Sequence, residues 1–136
     1  MPQVFTGKVV IPGDKIAESL QVAAEAERAR APFREYLEGL QKEFEAYLAT
    51  RYARRTARKH AEIVWLFIQF LSDYTDVAAL EEITRGMANT HFRRWYKRKV
   101  WDAATADDLR VALKRFFQFL ATEKGIQNPK VVESLK

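Results

Sequence analysis

The chain has 136 residues, enough for one domain that buries roughly two-thirds of the surface its unfolded form exposes. Hydrophobic residues make up 48%, with nine Phe, five Tyr and three Trp, so composition excludes a disordered chain. The absence of cysteine excludes disulfides, Cys-ligated zinc and thiol catalysis. Five Gly and four Pro are too few for a turn-rich all-β fold. No apolar run approaches the roughly 18 residues of a membrane span. The start MPQVFTGKVV lacks a basic-then-apolar leader pattern. These features fit a cytoplasmic protein with no membrane partner.

Residues 4–11 (VFTGKVVI) are rich in Val and Ile and are followed by the turn signal Pro12-Gly13-Asp14. They predict a short strand or extended arm, which must pack on helices or pair elsewhere because one strand makes no sheet. Residues 15–30 (KIAESLQVAAEAERAR) have strong helix propensity but small apolar positions, predicting a lightly packed helix. Pro32 is expected to end that helix or to start the next, since proline fits a first helical turn.

The first clear core helix is predicted over residues 33–50, where Phe33, Tyr36, Leu37, Leu40, Phe44, Tyr47 and Leu48 recur at steps of three and four. A basic connector follows, and Thr56 has the hydroxyl of an N-cap for the next helix. That helix carries Ile63, Val64, Phe67, Phe70, Leu71 and Tyr74 as one stripe, widened by Trp65, Leu66 and Ile68. A helix apolar around most of its girth belongs at the centre. Residues 75–84 read as a connection with at most a short helical turn. Thr84 or a neighbour then opens a helix running through Arg98, with Met87, Ala88, His91, Phe92, Trp95 and Tyr96 as its stripe.

Thr105-Ala106-Asp107-Asp108 opens the last strong helix: a hydroxyl cap and two acids suit a positive helix N-terminus. Its stripe is Leu109, Ala112, Leu113, Phe116, Phe117 and Leu120, and Gly125 is the stop signal. Asn128-Pro129 marks a boundary, beyond which residues 130–136 form a tail or linker or begin a further helix. The pattern predicts an all-α fold, a compact bundle of four to five helices with a short extended or β N-terminal arm. The domain layout is residues 1–32 as arm and Ala-rich helix, residues 33–129 as helical core, and residues 130–136 as tail.

The net charge of +5 says less than its placement. Residues 51–60 carry Arg51, Arg54, Arg55, Arg58 and Lys59 and no acid; residues 91–100 carry Arg93, Arg94, Lys97, Arg98 and Lys99 and no acid. Together they hold ten of the 23 basic residues. Such clusters ordinarily solvate helix faces, but if the fold brings them onto one wall they form a cationic saddle for a polyanion. Catalytic motifs are missing: the glycines are isolated, no His-Glu-x-x-His occurs, and Ser19, Ser72 and Ser134 lie in no nucleophile elbow. His60 and His91 sit on apolar helix sides, as satisfied or rim residues rather than bases. Neither an enzyme nor a cofactor or metal site is expected.

From Phe44 to Leu135 the chain resembles the core-binding, SAM-like helical domain of tyrosine recombinases, the phage-integrase family. The carrying pieces occur in order: FEAYL closing an aromatic helix, the basic connector, Thr56, the run to FIQFL, ALEEIT, FRRWYKRK, and TADDLRVALKRFFQFLATEKGIQNP. The resemblance implies half of a DNA clamp, used in integration and recombination, with duplex DNA as partner and the catalytic residues in a separate downstream domain. By position it implies DNA contacts from Thr56, Arg58 and Lys59 at one helix start and from Lys114 and Arg115 in the closing helix. Its other partners would be a catalytic recombinase domain in cis or trans.

Asp107 and Asp108 depart from the family pattern, which places basic or small polar residues there. Either they face away as caps, or DNA binding is weakened or lost. The competing reading is a protein-interaction module that forms a homo-oligomer through residues 1–32, with Trp101 as an exposed anchor or, more ordinarily, a core residue.

Overall fold

The computed structural model describes Val4, residues 16–100 and residues 104–136. Most of the predicted arm, the Pro12-Gly13-Asp14 turn and Trp101 lie outside the described residues. Val4 makes an isolated antiparallel bridge with Thr75. Five α-helices follow: α1 (Ile16–Ala49), α2 (Arg54–Tyr74), α3 (Phe92–Lys99), α4 (Ala106–Glu123) and α5 (Pro129–Ser134). The described residues form an all-α bundle, as the periodicity predicts.

Helix α1 corrects the expected break at Pro32, which lies inside one continuous 34-residue helix. The boundary drawn after residue 32 therefore falls within an element. Proline removes one intrahelical donor and crowds the preceding turn. Here Pro32 is exposed, strong helix formers flank it, and two arginines pin the segment to the end of α2. Arg30 donates to the carbonyls of Leu71 (3.0 Å), Thr75 (3.3 Å) and Val77. Arg34 pairs with Glu27 and, at 2.9 Å, with Asp73. Arg30 thereby supplies donors to carbonyls that α2 leaves unsatisfied at its C-terminus.

Helix α2 is central. Its Ile63, Val64, Phe67, Ile68, Phe70 and Leu71 are buried. It runs antiparallel to α1: Gln41 donates to the Ala61 carbonyl near one end while Arg34 meets Asp73 at the other. Trp65, expected to widen the buried stripe, is 47% exposed. Helix α4 lies against both neighbours, joined by ring contacts of Phe44 with Phe116 (5.3 Å) and Phe67 with Phe117 (6.3 Å). Edge-to-face aromatic pairs of this kind add to area burial.

The connection after α2 contains a single 3₁₀ turn, Leu80–Glu82, whose Glu82 carboxylate accepts from the Ala78 and Ala79 amides. Thr84 then caps the next helical segment through the Met87 amide. A π turn over Met87–His91 interrupts what periodicity presents as uniform α-helix. Gly125 has φ +66°, and the Ile126 amide folds back to the Leu120 carbonyl, ending α4 where predicted. Residues 130–136 are no free linker: Val131 and Leu135 are fully buried, and Asn128 ties the segment to the carbonyls of Leu80 and Ile83. Among the described residues no helix is long and apolar enough to cross a membrane.

Candidate nucleic-acid interface

The start of α2 is unusual for a helix N-terminus. The cap position is Ala53, which has no side-chain acceptor, and the first turn holds no acid. Thr56, expected as the cap, is the third helical residue instead. The helix satisfies its own amides only from Ala57 onward, through the Ala53 carbonyl at 2.9 Å. The amides of Arg54, Arg55 and Thr56 thus point out of the helix without an intrahelical acceptor. The first two residues are themselves cationic, against the sign that the helix dipole favours.

Around this end the fold gathers further cations. Arg54 and Arg55 are exposed and pair with no carboxylate among the described residues. They share a shallow depression with Arg58, Lys59 and Glu62. Arg58 makes only an exposed pair with Glu62 at 3.3 Å, which such exposure makes weak. Lys59 bonds Asp108 at 3.0 Å. Arg51 lies 4.3 Å above the Tyr47 ring and 3.7 Å from Glu123.

Helix α4 reaches the same place. Arg115 stacks over Tyr52 at 3.8 Å and donates to Nδ1 of His60 at 2.9 Å. His60 is buried, and burial, then the charges of Arg115 and Lys59, hold its pKa below the usual histidine value. The neutral ring is what lets Nδ1 accept, with the proton on Nε2. Lys114 is half-buried on α4 beside Arg115. Tyr52 and His60, both more than 50 positions away in sequence, therefore fix one guanidinium. Linear patterns give no signal for this, because Tyr52 and His60 become meaningful only beside Arg115.

Of the two acids, Asp108 is a cap and Asp107 is an exposed partner of Arg110. Thr105 accepts from the Asp108 amide at 3.1 Å, and Asp108 accepts from the Thr105 amide at 2.9 Å. The Thr105 amide, then Lys59, holds the Asp108 carboxyl below its ordinary value. Asp107 pairs with Arg110 at 2.6 Å. Both carboxylates are thus engaged within the fold.

The second cluster lies elsewhere. Trp95 of α3 packs on Phe70 and Tyr74, 5.7 Å from each ring, at the C-terminal end of α2. Phe70 and Tyr74 lie 11–16 residues, about 17–24 Å at 1.5 Å per residue, along α2 from Arg58 and Lys59, so the α3 cluster of Arg93, Arg94, Lys97, Arg98 and Lys99 sits toward the other end of that helix. The expected single saddle is instead two separate basic patches. The fold joins the first cluster to Arg115 of α4, not to α3. Among the described residues no group of acidic or histidine side chains is arranged to hold a metal.

This geometry accords with the comparison to known families. The model of the phage integrase N-terminal SAM-like domain matches residues 33–124. The chain belongs to that family. No curated protein and no solved structure matches it.

Proposed function

We propose that the chain is a DNA-binding module that grips the phosphates of duplex DNA with the start of α2 and the adjoining face of α4. The observation that carries this reading is the contrast between two helix N-termini. That of α4 is closed by a reciprocal Thr105–Asp108 cap, while that of α2 is left uncapped and flanked by unpaired Arg54 and Arg55. Outward amides and a positive dipole favour an anion, and surrounding guanidinium and ammonium groups favour a polyanion. Arg58, Lys59 and Arg115 border the same surface, and the family resemblance adds Lys114, next to Arg115 in sequence. Lys59 is tethered to Asp108, so it contributes reach more than free charge. The α3 cluster is not needed for this grip.

In this reading the chain positions DNA and does no bond chemistry; catalysis belongs to a recombinase domain acting in cis or trans. Fluorescence anisotropy with a labelled duplex, repeated over a salt series, tests the proposal. Binding that weakens steeply with salt, and collapses on charge reversal of Arg54, Arg55, Arg58 and Lys59, is expected. No binding at low salt, or no loss on reversal, refutes it.

A further inference from the structure

The second basic patch has a floor. A half-open cavity of about 500 Å³ is lined by Phe70, Tyr74 and Trp95, with Arg94, Lys97 and Arg98 at its rim. Val4 and His91 complete the wall. No rim cation pairs with a carboxylate among the described residues. Trp95 is only 6% exposed, yet its indole N–H has no acceptor. A buried donor without a partner costs free energy until something accepts from it. The cationic rim and aromatic lining thus fit an acidic segment with an apolar anchor.

The same end of the molecule carries the complementary chemistry. Arg30 fastens α1 to the end of α2, and residues 16–29 continue past it for about 21 Å. All but Ser19 of these residues are exposed. Between Ile16 and Glu27 the helix has three glutamates and no basic residue. At 100° per residue, Glu18, Val22 and Glu25 fall on one stripe. Val22 is 64% exposed, and neither Glu18 nor Glu25 pairs with a cation among the described residues. An apolar side chain flanked by two carboxylates mirrors an apolar floor flanked by cations.

We propose that the α1 overhang of one copy seats in the α3 cavity of a second copy, with Val22 on the aromatic floor and Glu18 and Glu25 against Arg94, Lys97 and Arg98. Overhang and cavity share one end of the chain, so the exchange is reciprocal and closes as a two-fold dimer. Each seat buries the same contacts. This inference does not rest on the DNA-binding reading, and its test contains no DNA.

Sedimentation velocity of the whole chain, with circular dichroism as the folding control, reads the association. The wild-type chain is expected to dimerise in a concentration- and salt-dependent way. E18K/E25K and R94E/R98E should each weaken the dimer at least about tenfold, because like charges then oppose across each seat. Mixing those two variants should restore dimers, since both seats of the mixed pair again match in charge. Leu20→Glu, on the opposite face of the overhang, should leave association unchanged. The indole resonance of Trp95 should shift with concentration in the wild type and in Leu20→Glu, but not in either charge variant alone. A monomer at all concentrations, no recovery on mixing, or equal disruption by Leu20→Glu overturns the proposal.

Discussion

Reversing Arg54 and Arg55 together should make the fold more stable and the DNA complex weaker. Both residues occupy the first two positions of α2, beside outward amides that no side chain caps. A cation there opposes the helix dipole and an acid assists it, each by about 0.3–1 kcal/mol at exposed sites. Two reversals at exposed, salt-screened positions should therefore add about 1–2 kcal/mol. For a domain of this size that raises Tm by roughly 3–8 °C, measured by thermal circular dichroism at low salt. If each arginine neutralises one phosphate, the slope of log affinity against log salt should become shallower by about 2 in total. The opposite signs make the experiment discriminating. A variant that merely damages the fold loses both quantities. A falling Tm, or an unchanged salt slope, would show that these arginines are structural and that the proposed grip is wrong.

Phe44 is fully buried between Phe116, Phe119 and Tyr47, so Phe44→Ala should cost about 3–5 kcal/mol in urea unfolding. Gly39 lies within α1 with nothing within 4 Å of an added Cβ, so Gly39→Ala should stabilise by up to about 1 kcal/mol in the same assay. His60 has a lowered folded pKa, so the unfolded chain binds its proton more readily. Its contribution is therefore fully present above the unfolded value of about 6.5 and is lost as pH falls through the folded value. Unfolding free energy followed from pH 8 to pH 5 should drop in wild type, and His60→Gln should flatten that part of the curve.

The core was legible where periodicity and burial coincide. The stripe of α4 is buried from Leu109 to Leu120, and Thr105 caps as its hydroxyl predicts, because both signals are local. Pro32 misleads because its local penalty is outweighed by contacts of Arg30 and Arg34 with residues about 40 positions away. Thr56 misleads in the opposite way. A hydroxyl near a helix start reads as a cap, but Ala53 already has the extended backbone of that position, and the chain enters the helix three residues sooner. Trp65 shows the limit of composition, since the girth of α2 exceeds what its neighbours cover. The separation of the basic clusters was invisible for the same reason. Which end of α2 receives α3 depends on Phe67, Phe70 and Tyr74 choosing Phe92 and Trp95 as partners.

The distribution of local stability ties these points together. At the α4 start, where a cation would otherwise meet two carboxylates, every group is satisfied: Asp108 by Thr105 and Lys59, Asp107 by Arg110. At the α2 start, a few residues from Lys59, the dipole, the amides and Arg54 and Arg55 are all left with the same unmet preference for negative charge. Evolution toward stability alone would place Ser or Asp at Ala53 and an acid in the next turn. Arg115 argues in the same direction. Its guanidinium is held by Tyr52 and by a histidine kept neutral, and neither of these cancels its charge. A surface that leaves Arg54, Arg55 and Arg115 without a carboxylate partner, while Lys59 and Arg58 are paired, favours a polyanion at those three groups, and that is the physical basis for the proposed DNA contact.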